Sequence, residues 1–172
     1  MEYKYILAID PGPEKSGYIF LSLNMHNSFK IIDKEHIYNY NIFNIILNKC
    51  AIYGKIEVVI ETIVTYGNTM SQDTIDTAIF AGRFYQFSND LKLKTTFIKR
   101  PDVQLNLCKT TRAKRSNMKQ AIKDRFGEFG TKKNPQRLYK LKERLEKGKI
   151  EHLWSALELG ITYVDINFGE CK

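Results

Sequence analysis

Residues 5–21 read YILAIDPGPEKSGYIFL, and their interpretation decides the fold. Tyr5 to Ile9 are apolar, β-prone chain that stops on Asp10. A Pro-Gly-Pro turn and two charges follow, then a second apolar run. One reading is a β-hairpin whose aspartate merely forms the turn. The other is a strand built to deliver a carboxylate to the edge of a sheet.

The neighbouring stretches bear on the choice. Residues 4–10 and 17–24 are predicted strands joined by this turn, and FKIIDKEHI (29–37) alternates well enough to complete an antiparallel meander. IFNIILNKCAIYG (42–54) has helical apolar spacing and ends on Gly54, a helix stop. IEVVIET (56–62) is short and nearly all apolar, as a strand covered on both faces must be. Like the first strand, it ends on a carboxylate, Glu61. A helix is predicted over about 72–89, where Ile75, Ala78, Ile79, Gly82 and Phe84 leave a face smooth enough to pack on another helix. LKTTFIKR (93–100) is a further strand, Pro101 opens the next segment, and a last helix starts near Ile150 with IEHLWSALELGITYVDI. This order predicts one α/β domain over 1–172, with a mixed central sheet of about five strands flanked by helices on both faces.

Composition narrows the partner. A chain of 172 residues with 43% hydrophobic and 27% charged residues has the make-up of an ordinary globular protein. Its formal net charge of +8 and pI near 9.3 favour a polyanion, with nucleic acid ahead of a membrane surface. No apolar run approaches membrane-span length, and no signal peptide precedes the first strand. Cys50, Cys108 and Cys171 are widely spaced and odd in number, which reads as reduced thiols in a cytosolic protein. The positive charge is concentrated from Lys109 onward: KTTRAKRSNMKQAIKDR holds seven basic residues against one Asp.

Asp10 and Glu61 both end apolar strands, and ligands of α/β sheets gather outside such carboxyl ends. Neighbouring strands lie about 4.8 Å apart, so the two carboxylates can share one hard divalent cation that relieves their repulsion. His152 and Ser155 add a second group, spaced three apart on one face of the last helix.

ILAIDPGPEKSGYIFL, then VVIETIVTYGN before a helix containing AGRFYQ, then HLWSALELGITY, resemble in that order the RuvC-type Holliday-junction resolvases of the RNase H-like superfamily. The resemblance implies that Asp10 and Glu61 are the first two metal-binding catalytic acids and that His152 falls at the third. Ser155 falls at the fourth, where the family carries aspartate. Serine supplies no charge, so Glu151, one turn before, and Glu158, one turn after, are alternatives. The implied cofactor is Mg²⁺, two ions per site, with Mn²⁺ able to substitute. The implied products carry 5′-phosphate and 3′-hydroxyl ends. Arg115 matches a family residue that contacts scissile-strand phosphates, with Lys109, Arg112, Lys114 and Lys119 adding charge beside it. Tyr66 and Asn68 lie where the family places a loop that reaches the junction centre.

The expected partner is branched DNA, four-way junctions above all, cut by a two-fold homodimer. The expected location is the cytoplasm, the host's if the chain is phage-encoded. Two rivals stand beside this reading. One is a junction-binding protein that kept the fold and lost the chemistry through Ser155. The other is an actin-like sugar kinase or ATPase, whose need for a second domain and phosphate loop 172 residues do not meet.

Overall fold

A computed structural model describes residues 4–25, 28–64, 67, 69–126 and 147–170, the side chains of 147–150 excepted. Strands β1 (Lys4–Asp10), β2 (Lys15–Leu23) and β3 (Phe29–Tyr38) form the predicted antiparallel meander. Strands β4 (Glu57–Thr62) and β5 (Lys94–Lys99) add in parallel on the other side of β1. The order is β3-β2-β1-β4-β5, so the strand ending on Asp10 lies in the middle of the mixed sheet.

Both faces of that middle are covered, which is why β1 reads as an unbroken apolar run. Leu7 and Ile9 project with Val58 and Ile60 into a core closed by helices α1 (Asn39–Tyr53) and α2 (Gln72–Asp90). Ile6 and Ala8 project with Val59 to the opposite face. There they meet α3 (Arg100–Cys108), α4 (Arg115–Phe126) and above all α5 (Lys147–Phe168), which lies across β1 and β2. Close approach of α5 depends on Gly160: a Cβ there would stand 2.9 Å from Leu21 Cδ1 and 3.3 Å from Ala8 Cβ.

Several boundaries differ from the sequence reading, each for a local reason. Helix α1 starts at Asn39 rather than Ile42, because Asn39 is held from the preceding turn and not by apolar periodicity. It ends as predicted at Gly54, with φ 73°. Pro101 lies in the first turn of α3, where its missing N–H costs nothing. Helix α5 begins at Lys147, three residues before Ile150. On α2, Phe84 does not belong to the outward face: it is buried in the core, whereas Ile75, Ala78, Ile79 and Gly82 are exposed.

The three helices on the α5 side are tied at one residue. Asp165 accepts hydrogen bonds from Asn106 Nδ2 of α3 at 2.7 Å and from Arg125 Nη1 and Nη2 of α4 at 2.7 and 2.6 Å. Among the described residues no helix is long and apolar enough to cross a membrane.

Candidate functional site

Parallel pairing of Ile9 with Ile60 brings Asp10 and Glu61 side by side at the carboxyl ends of β1 and β4. Strand alternation turns both towards α5, on the side already taken by Ala8 and Val59.

The turn after Asp10 is locked from within. Ser16 Oγ donates to Asn39 Oδ1 at 2.6 Å, Asn39 Nδ2 donates to the Gly12 carbonyl at 2.9 Å, and the Gly12 N–H reaches Ser16 Oγ at 3.4 Å. Ser16 and Asn39 are fully buried, so each bond is made in a low dielectric and is expensive to lose. Only glycine fits position 12, since a Cβ would lie 2.3 Å from the Lys15 carbonyl oxygen. The turn therefore holds Asp10 in one place, and the opening stretch delivers a carboxylate rather than a bare hairpin.

Helix α5 brings the third group. Its backbone at His152 passes so close to β2 that a Cβ on Gly17 would lie 2.8 Å from the His152 carbonyl carbon, Cβ and oxygen. That approach sets His152 Nδ1 2.8 Å from Asp10 Oδ2. It also stacks the imidazole on His36 at 4.7 Å between ring centres, nearly parallel at 6°. His36 stands opposite Gly17 on β3 and fills the space beside the ring. The hydrogen bond that the His152 ring donates to Asp10 holds the His152 pKa above its ordinary value against the opposing effect of burial.

A guanidinium completes the cluster. Arg100, the first residue after β5, places Nη1 3.4 Å from Glu61 Oε2 and Nη2 2.9 Å from Glu158 Oε2. Glu158 is 1% exposed, and burial pushes its carboxyl up to about 7 despite Arg100. Glu61 is pushed up to about 8, by burial first and the neighbouring Asp10 second. Ser155 lies one turn from both His152 and Glu158 and is buried, at 3% exposure. Of the two alternative glutamates, Glu151 is engaged away from the acids: it accepts from Lys119 and lies 3.7 Å from Arg115 Nη1. Glu158 joins them through Arg100.

Asp10, Glu61, Arg100, Gln104, Thr111 and Arg112 line a cleft of about 610 Å³. Of the basic loop, Arg112 lines this cleft. Lys109, Arg112, Lys114 and Arg115 are exposed, and Arg112 and Lys114 also line an adjoining cleft. Lys119 is half-buried and bound to Glu151. Tyr66 and Asn68 lie outside the described residues.

The donor chemistry suits a hard cation. Desolvation and the neighbouring Asp10 carboxylate raise the proton affinity of Glu61, and a divalent ion removes the repulsion between the two acids. Among the described residues no group of three His, Cys, Asp or Glu side chains converges into a cage. Mg²⁺ does not require one, since it is commonly held by one or two carboxylates, its own waters and substrate phosphates.

Sequence reasoning missed Arg100 and His36. For Arg100 a signal existed: it follows the strand next to Glu61 and precedes a helix-opening proline. His36 carries no such signal, because its place depends on the β2–β3 register.

No family model and no curated protein sequence matches the chain. Solved structures do. The Thermus thermophilus RuvC in complex with Holliday junction substrate is 14% identical, with a TM-score of 0.66 over 94% of this chain and 93% of that one. The yeast mitochondrial Holliday junction resolvase Ydc2 is also 14% identical, with a TM-score of 0.63 over 93% of this chain and 77% of that one. The fowlpox virus resolvase, solved with Holliday junction DNA, is 18% identical, with a TM-score of 0.51 over 95% and 99%. A five-stranded mixed sheet in the order β3-β2-β1-β4-β5, with helices on both faces and this likeness along nearly the whole chain, is the RuvC-type form of the RNase H-like fold.

Proposed function

We propose that the protein is a divalent-metal-dependent endonuclease that cuts branched DNA, four-way junctions in particular, as a homodimer. The observation that carries this reading is the pairing of Asp10 with Glu61 in a cleft that Arg100 and Arg112 also line. Likeness of fold to proteins solved on Holliday junctions supports the choice of substrate.

Asp10 and Glu61 would hold Mg²⁺ or Mn²⁺, with His152 beside them. Such an ion supplies an activated water and stabilises charge on the leaving 3′ oxygen. The chain's own groups do the rest. His152 keeps a proton at Nδ1 against Asp10 and so orients that carboxylate. Arg112, Lys114 and Arg115 bind phosphates and place the strand over the acids without reading sequence. Helix α2 exposes Ile75, Ala78, Ile79 and Gly82 at i, i+3, i+4 and i+7, and a Cβ on Gly82 would meet nothing within 4 Å. That unencumbered apolar stripe suits a two-fold copy of itself.

The replacement of an acid by Ser155 favours a second reading, a protein that binds junctions without cutting them. The test is a labelled four-way junction, a flap and a plain duplex, each incubated with Mg²⁺, Mn²⁺ or EDTA. Metal-dependent nicking of the branched substrates is expected, abolished in Asp10→Asn with binding retained. Tight binding with no nicking in either metal would establish the second reading instead.

A further inference from the structure

The acid cluster contains its own cation. Glu61 has the Asp10 carboxylate beside it on the neighbouring strand, and Arg100 bridges Glu61 to Glu158. Arg100 already places a fixed positive charge between Glu61 and Glu158, so a second divalent ion would be added beside a cation the site holds for itself, in a poorly screened interior.

The partners of Arg100 are built in rather than incidental. Glu158 projects from the helix that carries His152, one turn beyond Ser155, and is sealed from water at 1% exposure. Its Oε2 and Arg100 Nη2 are 2.9 Å apart yet off the hydrogen-bond line, and neither atom has another hydrogen-bond partner among the described residues. Coulomb attraction thus anchors one edge of the guanidinium. A guanidinium has five N–H donors in a planar fork suited to phosphate oxygens. Glu61 takes one of them at 3.4 Å, and Arg100 lines the cleft beside Asp10 and Glu61. At position 155, one turn before Glu158, the helix supplies an uncharged serine. The absence of a fourth acid there and the presence of a clamped guanidinium are complementary changes in charge.

We propose that Arg100, clamped by Glu158, is the fixed second cation of this site, so that a single divalent ion on Asp10 and Glu61 suffices. The inference rests on the metal-dependent nuclease reading and deepens it. Arg100 supplies to the DNA phosphate the positive charge that another ion would bring. Its position is set by α3 and α5, so that charge cannot be diluted away.

The experiment is a titration of the full chain with Mn²⁺ alone, followed by electron paramagnetic resonance and calorimetry, without DNA. The wild type should take up one Mn²⁺ per chain, and Glu61→Gln should weaken that binding at least tenfold. Arg100→Lys, which keeps the charge, should still bind one. Arg100→Gln, once its melting curve shows it folded, should accept a second ion or bind the first at least tenfold tighter. Two ions of similar affinity in the wild type overturn the inference and leave the nuclease reading standing. No bound ion in the wild type overturns the inference, and metal-dependent nicking of the junction then decides the nuclease reading. The wild-type count decides the matter even if Arg100→Gln fails to fold.

Discussion

Replacing Gly17 by alanine tests how the site is assembled without touching any of its charged groups. The new methyl carbon would lie 2.8 Å from three atoms of His152, two of them backbone. Ordinary contact begins near 3.4 Å, so α5 must retreat from β2 by about 0.6 Å at that turn. The helix cannot simply rotate, because Gly160, further along, is pressed on Leu21 and Ala8. A shift of that size stretches the 2.8 Å bond between His152 and Asp10 to about 3.4 Å, the edge of hydrogen bonding. Overpacking of this kind costs about 1–3 kcal/mol of stability. Misplacement of a positioning group by up to 1 Å lowers turnover by as much as about 100-fold. Urea unfolding reads the first quantity and single-turnover cleavage of a four-way junction the second. Unchanged stability together with unchanged cleavage would refute the claim that this contact sets His152.

Three further outcomes are expected. Arg115→Ala should weaken junction binding equally on all sequences and reduce the slope of log K against log salt by about one, since its ion pair with Glu151 is exposed and weak; Lys119→Ala, whose charge Glu151 already neutralises, should change the slope less. In metal-free protein Glu61 is raised from 4.5 to about 8, so the folded state holds a proton that the unfolded state releases between those values. His152, raised above 6.5, acts in the same direction. The stability linked to both is present at low pH and lost as pH rises; Tm should fall from about pH 5.5 to 8.5 and recover with Mn²⁺, and a flat profile would count against the buried acid pair. Ser155→Asp places a fourth acid between His152 and Glu158 and should tighten Mn²⁺ binding about tenfold while lowering metal-free stability, both measurable by melting with and without Mn²⁺.

The legible parts of this protein were those fixed by local chemistry. Apolar runs ending on Asp10 and Glu61 gave away two adjacent strands, because a strand buried on both faces needs continuous apolar residues and a buried carboxylate needs a strand end. Gly54 marked the end of α1 through a backbone restriction that acts within a turn. What stayed hidden depends on pairing over long distances. His36 meets His152 only because of the β2–β3 register and the gap left by Gly17. Arg100 finds Glu158 across 58 residues of chain, and no periodicity records such a partnership. Phe84 was misplaced because a helix with apolar residues on two sides does not announce which side is covered.

Asp165 sits thirteen residues after His152, about 20 Å along α5 from the acids, and touches neither metal chemistry nor DNA. Through Asn106 and Arg125 it nonetheless fastens the end of α3 that leads into the basic loop, and the far end of the helix α4 that leads out of it, to the helix bearing His152. The loop proposed to bind phosphate and the imidazole hydrogen-bonded to Asp10 thus travel on one chassis. A tilt of α5 moves both by related amounts, so DNA seated by that loop, as proposed, would stay in register with the acids. Loosening Asp165 would uncouple grip from cut while leaving every residue of the cleft intact.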